Sequence, residues 1–314
     1  MYSQFGVFFL LLLTGYLCKK YKIITDAMTT GLNKFIILVA YPCMILSRTA
    51  ILDISRNIFS NFVMTAAINL GILLFFGLYA FIYCKARKFS LDDAPVIEFS
   101  IISPNNGFMG FPIALMFFGD MGLLYMIACN IALNFFFFTY GVAILKRGRS
   151  NPGDSLKKRI LDIVLLLVNP KVSAAFVGMF ICYNNFKLPE VLMTFLTSVG
   201  DVAPPMAMIS IGTTMAGTLG FSVLKKKPIV EASLNKLLII PLIAFAIIWF
   251  LPLDPMVKNI LIISNALPVA TTVPILSEQL KRNKVMAGEI LIISTLISMA
   301  SIPFLLWVLT SLLS

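Results

Sequence analysis

The sequence contains no histidine among its 314 residues, and its five cysteines form no CxxC pair. Without imidazole the chain lacks a common metal ligand, catalytic base and proton carrier, so any proton coupling is expected to use carboxylates. HExxH and GxSxG motifs are absent as well. These absences argue against an enzyme, and we expect no bound cofactor.

Charge is also scarce, since 12% of the residues are charged and 59% are hydrophobic. A soluble fold with a polar surface is excluded by this balance, which predicts an all-α integral membrane protein. Apolar runs of about 20 residues are long enough to cross roughly 30 Å of hydrocarbon. Such runs predict ten transmembrane helices, with spans of 3–18, 31–51, 60–83, 95–117, 121–145, 161–183, 189–217, 231–251, 256–277 and 286–312.

Acidic residues number 14 against 25 lysines and arginines, which gives a net charge of +11. A nucleic-acid partner is not expected, because the basic clusters occupy every second loop and so fall on one side of a membrane. The clusters are Lys19–Lys22, Lys85–Lys88, Lys146–Arg159, Lys225–Lys227 and Lys281–Lys284. The other loops hold Arg48, Arg56, Lys187 and Lys258, whereas Lys34, Lys171 and Lys236 are expected near cytoplasmic helix ends. This pattern predicts a multi-pass protein of the cell (inner) membrane with both termini extracytoplasmic.

The chain divides into two halves of five predicted helices each. A short cytoplasmic loop, 148–159, separates a first repeat at 1–147 from a second repeat at 160–314. Two like-folded halves with an odd number of spans insert in opposite orientations, so the division predicts an inverted repeat. The apolar N-terminal stretch has no basic residues before it, which favours a retained first helix over a cleaved signal.

Predicted helices four and nine carry matching interruptions near mid-membrane. The first reads SPNNGFMGFP from Ser103 to Pro112, and the second reads SNALPVATTVP from Ser264 to Pro274. Proline removes a backbone donor and glycine permits non-helical dihedrals, so both helices should unwind there. The alternative is that the prolines only kink two packed helices and that the asparagines tie neighbouring helices together.

An unwound helix frees backbone groups that hydrocarbon cannot satisfy, and each half-helix start carries partial positive charge. If the two breaks cross, an anion could bind between them, held by dipoles and amides because neither break contains lysine or arginine. The predicted substrate-binding residues are Pro104, Asn105, Asn106, Gly107, Asn265, Pro268, Thr271 and Thr272.

The stretch from Asn106 to Pro112, the Ala266–Pro268 segment and the closing Ser294–Pro303 segment resemble the auxin efflux carrier family, including bacterial members described as malate permeases. The resemblance spans the whole chain. It implies a ten-helix fold similar to bile acid sodium symporters, with helices 1, 2, 6 and 7 as a scaffold and helices 3–5 and 8–10 as a transport domain. It also implies an elevator-type movement and a homodimer.

Two carboxylates inside predicted spans, Glu98 and Asp201, are candidates for coupling transport to H⁺ or Na⁺, because ionisable groups are rare in hydrocarbon. For Glu98 the alternative is an ion pair with a lysine at the membrane interface.

The sequence therefore predicts a secondary active transporter of a small organic anion, malate-like or auxin-like, with a membrane sensor or channel that has kept a transporter fold as the alternative. Replacement of Asn105 or Asn106 is expected to weaken transport without unfolding the protein.

Overall fold

The computed structural model describes residues 2–52, 56–148, 170–216 and 226–312. Within these ranges the chain forms helices and no strand, apart from one isolated bridge. The helices are α1 Tyr2–Lys20, α2 Asp26–Ala50, α3 Arg56–Ala86, α4 Ala94–Ile101, α5 Asn106–Lys146, α6 Pro170–Tyr183, α7 Glu190–Ala216, α8 Lys227–Trp249, α9 Pro255–Ala266, α10 Thr272–Gln279 and α11 Lys284–Leu312. The start of predicted helix six and most of the 148–159 loop lie outside the described residues.

Six of the described helices, α2, α3, α5, α7, α8 and α11, contain windows long and apolar enough to cross a membrane. Side chains on α3 show the arrangement that lipid requires. Leu74, Phe75 and Leu78 are about half exposed, whereas Thr65 and Asn69 of the same helix are fully buried. Polar groups therefore face the protein interior and apolar groups face outward, and the prediction of an all-α integral membrane protein is confirmed.

Helix α5 changes direction at Gly119, the position where the sequence predicts a connection between two spans. Gly119 has φ 65° and ψ −160°, outside the helical region. Glycine adopts a positive φ without the steric penalty of a Cβ atom, so it can join two helical parts in one turn. The part before Gly119 continues the interrupted segment that begins with α4.

Three helices contain a turn of π-helix that ends two residues before a proline. The π turns are Ile36–Ala40, Asn106–Gly110 and Asn235–Ile239, and the prolines are Pro42, Pro112 and Pro241. A proline ring clashes with the carbonyl four residues earlier, and a widened turn relieves that clash while the helix continues. Proline placement thus explains why these helices widen, including at the start of α5.

Helices α1 and α7 cross at very short distance through glycines. A Cβ atom on Gly15 would overlap the carbonyl of Ile209, and one on Gly212 would overlap the carbonyl of Leu12. Small residues permit this backbone approach in lipid, where association depends on packing rather than on hydrophobic burial. A second such contact joins α2 to α6, where Gly178 packs against Thr49.

The remaining helices pack around the two interrupted segments. Helix α3 lies along α5, α8 packs against α9, and α11 contacts α8 and α10. The interruption between α4 and α5 and the interruption between α9 and α10 therefore both lie inside a bundle of helices. This bundle supplies the buried polar side chains described next.

Candidate functional site

The two interruptions cross each other and form a short antiparallel bridge between Pro104 and Val269. The N–H of Asn105 donates to the carbonyl of Pro268 at 2.9 Å, and the N–H of Ala270 donates to the carbonyl of Ser103 at 2.8 Å. Each broken helix thus satisfies backbone groups of the other, which meets the requirement that a polar backbone in lipid be paired. We call residues 102–105 and 267–271 the crossover.

Side chains satisfy further backbone groups of the crossover. The hydroxyl of Ser294 on α11 accepts from the N–H of Val269 at 3.1 Å. The side-chain oxygen of Asn105 accepts from the N–H of Phe108 at 3.3 Å and so caps the start of α5. Asn105 therefore holds the first turn of α5 in place, with its side chain 4% exposed.

The next asparagine, Asn106, is fully buried and joins α5 to α9. Its side-chain oxygen accepts from the hydroxyl of Ser264 at 3.1 Å. The amide nitrogen of Asn106 and the hydroxyl of Ser103 have no hydrogen-bond partner among the described residues. Two buried polar groups at the crossover thus retain unused hydrogen-bonding capacity, which is costly unless a ligand or water uses it.

On the opposite helix, Asn265 is held by α3 and by its own turn. Its amide nitrogen donates to the side-chain oxygen of Asn69 at 3.2 Å and to the carbonyl of Leu261 at 2.9 Å. The amide of Asn69 in turn donates to the carbonyl of Cys129 on α5 at 3.0 Å. This chain of amides fixes α3, α5 and α9 relative to one another.

Two lysines approach the interrupted helices, which the sequence did not predict. Lys236 lies well inside α8, is 1% exposed, and its Nζ donates to the carbonyl of Asn265 at 3.1 Å. Lys171 of α6 places its Nζ 5.8 Å from the ring centroid of Phe111, beside Gly107. The expectation that Lys236 lies near a cytoplasmic helix end is wrong, and the interrupted helices have lysine amines beside them.

A small cavity of about 20 Å³ adjoins the crossover. A space of this size holds about one water molecule. Its lining comes from the crossover (Asn105, Thr271), from α7 (Ile211, Thr214, Met215) and from α11 (Leu291, Ile292, Thr295). The cavity therefore lies between the broken helices and α7, with an amide and three hydroxyl groups around it.

The predicted site residues occupy different positions around this centre. Pro104 and Pro268 form the bridge, Asn105 and Thr271 line the cavity, and Asn106 and Asn265 pack behind it. Gly107 faces Lys171, and the half-buried Thr272 begins α10. Sequence reasoning did not identify Thr214, Thr295 and Lys236 as neighbours of the interrupted helices. The local sequence of one helix does not show which of its side chains faces a break in a different helix.

Glu98 lies away from the crossover in an ion pair. Its buried carboxylate accepts two hydrogen bonds from Arg147, at 2.7 Å and 3.1 Å, and the guanidinium of Arg147 lies over the ring of Phe81. Arg282 donates to the carbonyl of Leu145 at 2.8 Å and also to that of Arg147. These contacts tie α4, the end of α5 and the α10–α11 turn together, with an arginine as the partner of Glu98 in place of the predicted lysine.

Asp201 lies in the turn within α7 and is half exposed. Arg48, near the end of α2, is 2.5 Å from Asp201 and 3.5 Å from Asp120, which follows the Gly119 bend. Arg48 therefore connects α2, α5 and α7. In the described residues no cluster of carboxylates or cysteines has the geometry of a metal site.

Known proteins similar to this chain include transporters and one signaling protein. The chain matches the profile of a family described as membrane transport protein over residues 3–306. An uncharacterized transporter of Methanocaldococcus jannaschii is 24% identical over 310 residues, covering 96% of both chains. A Rhizobium meliloti protein named "Putative malonate transporter" is 24% identical over 321 residues, covering 97% of this chain and 94% of that protein. The mouse lysosomal cholesterol signaling protein is 24% identical over 320 residues, covering 96% of this chain but 36% of that protein.

Proposed function

Because the chain belongs to the membrane transport protein family, we propose that it is a secondary active transporter of a small organic anion, a carboxylate similar to malonate or malate. The family membership confirms the resemblance to auxin efflux carriers. One observation carries the proposal: two broken helices cross through reciprocal backbone hydrogen bonds beside a polar cavity. Interrupted helices that meet in a bundle are the usual way in which secondary transporters build a binding site.

A carboxylate would bind at the cavity edge between the crossover and α7. The start of α10 directs its partial positive charge toward this place, and Thr271 lines the cavity there. The hydroxyls of Thr214 and Thr295 donate to carbonyls of their own helices, so they add polarity to the cavity wall. Asn105 holds the start of α5 from the other side. The cavity must enlarge to admit a dicarboxylate, so we propose that α7 and the crossover separate during transport.

The inverted repeat and the division into two domains belong to the same proposal. In an inverted repeat, α6 corresponds to α1 and α7 corresponds to α2. The contact of α1 with α7 then corresponds to the contact of α6 with α2, and both contacts occur through glycines. This supports ten spans, with α1, α2, α6 and α7 as a scaffold and the other helices as a transport domain. The alternation of basic loops supports termini on the outer side of the cell membrane, and the homodimer stays a prediction.

An elevator-type movement is the proposed mechanism. The transport domain would carry the crossover past the scaffold as one body, because its amide chain links α3, α5 and α9. Arg48 and Asp201 then belong to the scaffold and Asp120 to the transport domain. The Arg48–Asp120 contact would break when the transport domain moves.

Flux in proteoliposomes tests the proposed function. Labelled malonate and malate are supplied with imposed pH, sodium and voltage gradients, one at a time, to the wild type, to Asn105→Ala and to the control Asn184→Ala. Asn184 is an exposed amide that donates to the carbonyl of Phe180 and lies in a turn at the end of α6. Saturable flux that Asn105→Ala loses and Asn184→Ala keeps is expected. Equal flux in both variants would show that transport does not depend on Asn105 at the crossover.

A membrane sensor that has kept a transporter fold is the second candidate. It is favoured by the small volume of the cavity and by similarity to part of the mouse lysosomal cholesterol signaling protein. A sensor would bind its ligand without moving it. Saturable binding to the purified protein, without accumulation in liposomes under any gradient, would favour the sensor over the carrier.

A further inference from the structure

Lys236 is a fully buried lysine in the middle of an apolar helix. It lies in the π turn Asn235–Ile239 of α8, which widens before Pro241. Its side chain is 1% exposed, and its Nζ donates to the carbonyl of Asn265 at 3.1 Å. π turns inside helices often occur at functional sites, because the widened turn redirects side chains.

The carbonyl that Lys236 contacts is available only because α9 is interrupted. In a continuous helix the Asn265 carbonyl would accept from the N–H of Val269, four residues later. Here that N–H donates to the hydroxyl of Ser294 instead. The Asn265 carbonyl also carries the partial negative charge at the end of α9, which stabilises a cation beside it.

No carboxylate compensates the charge of Lys236 within the described residues. The acidic and basic groups on its own helix and on the helices packed against it are paired elsewhere. These pairs are Glu98 with Arg147, Glu231 with Arg87 and Lys227, Glu289 with Lys226, and Lys284 with Glu278, while Lys258 donates to the carbonyl of Trp249. A buried ammonium without an anion is strongly disfavoured. The Asn265 carbonyl lies two residues before the crossover, so the amine gains a proton most readily when an anion enters the crossover.

We infer that Lys236 is the proton-coupling residue of this carrier. The lone pair of the ε-amine binds one proton as an anionic substrate enters the crossover, and the ammonium returns that proton to water after the substrate leaves. No bond of the substrate forms or breaks, and one positive charge accompanies the anion. This inference rests on the proposed function and names its driving ion.

The same geometry argues against sodium as the coupling ion. A sodium site needs several oxygen ligands, and the Asn265 carbonyl, the natural ligand at the end of α9, already accepts from Lys236. Glu98 and Asp201 are less suited to carry the proton, since each is held by an arginine. Transport is therefore expected to be the same in sodium and in choline buffers.

Two substitutions and a matched control test the inference. Lys236→Arg keeps a cation that cannot release its proton, and Lys236→Gln removes the charge. Lys258→Arg is the control, because Lys258 is also a lysine bonded to a backbone carbonyl, at 2.9 Å, but is only half-buried and makes this hydrogen bond near the surface. Each protein is reconstituted at the same density, and labelled malonate is measured both in gradient-free exchange and in uptake driven by an inward proton gradient.

The wild type and Lys258→Arg are expected to accumulate malonate about tenfold for each unit of pH gradient, since one pH unit corresponds to about 1.4 kcal/mol per coupled proton. Lys236→Arg and Lys236→Gln should show no accumulation, while at least one of them still exchanges malonate. Proton-driven accumulation by both variants, or a wild type that transports without responding to pH, would overturn the coupling role and leave the carrier standing. A wild type without flux of any acid would overturn the proposed function and this inference with it.

If both variants lose exchange as well, a measurement on the wild type decides whether malonate binding is coupled to proton uptake. The protein in lightly buffered detergent is titrated with malonate while the pH is recorded. Uptake of about one proton per bound malonate, with none in Lys236→Arg, is the expected result. Malonate binding without proton uptake by the wild type would refute the inference.

Discussion

The contact between α1 and α7 makes Gly212→Ala a sensitive test of how the fold is held together. A methyl group on Gly212 would overlap the carbonyl oxygen of Leu12 and would lie 2.9 Å from the backbone nitrogen of Tyr16 and 3.0 Å from the carbonyl carbon of Leu12. All of these atoms belong to the backbone of α1, so no side-chain rotation relieves the overlap. The two helices must separate along their contact.

Two opposing effects determine how much Gly212→Ala changes the free energy of unfolding. Overpacking costs up to about 3 kcal/mol when the surroundings cannot adjust. Alanine is favoured over glycine inside a helix by about 1 kcal/mol. The net loss is about 2 kcal/mol, which lowers the melting temperature by roughly 4–8 °C at about 2–4 °C per kcal/mol.

Gly71→Ala on α3 is the matched control, because a Cβ atom there meets no neighbouring atom within 4 Å. Only the helix-propensity gain of about 1 kcal/mol applies, so its melting temperature should stay level or rise. Both variants and the wild type are heated in detergent, and the folded fraction is followed by size-exclusion chromatography. Equal melting temperatures for Gly212→Ala and Gly71→Ala would refute the close contact of α1 with α7.

Other substitutions test the remaining contacts. Asn69→Ala removes the acceptor of the Asn265 amide, and a typical hydrogen bond in a membrane protein contributes about 0.6 kcal/mol. The melting temperature should therefore fall only slightly, whereas malonate flux should fall severalfold. Glu98→Gln leaves the guanidinium of Arg147 without its anion, so the melting temperature should fall, and an unchanged value would show that the pair does not stabilise the fold. Arg48→Gln removes both ion pairs with aspartate and should change the flux rate without changing affinity, whereas a changed apparent affinity would place Arg48 at the binding site.

The crossover illustrates how much of the fold could be predicted. Pro104, Asn105 and Pro268 mark the two interruptions in the sequence, since each residue type disfavours a continuous helix. The sequence could not predict that the two interruptions would satisfy each other, because that depends on a contact between residues more than 160 positions apart. Local chemistry fixes where a helix breaks, whereas tertiary packing decides what fills the break.

The buried charges were harder to predict for the same reason. Glu98 stands out as a carboxylate in an apolar segment, but its partner Arg147 is 49 residues away and is counted among the loop residues. Lys236 lies near the start of a predicted span, where a lysine usually extends toward water. The widened turn before Pro241 and the interrupted end of α9 give it a buried partner instead, and the contact between these two helices depends on tertiary packing.

The bridge between Pro104 and Val269 has a consequence for how the protein is made. Neither half of the chain can complete its own interrupted helix, since the N–H of Asn105 needs the carbonyl of Pro268 and the N–H of Ala270 needs the carbonyl of Ser103. While the ribosome is still translating the first half, these groups between α4 and α5 have no protein partner in the bilayer and depend on water or the insertion machinery. The crossover is therefore completed late, after the ninth predicted span has been inserted. A first half expressed alone would keep an unsatisfied, hydrated break, which co-expression of the second half could repair.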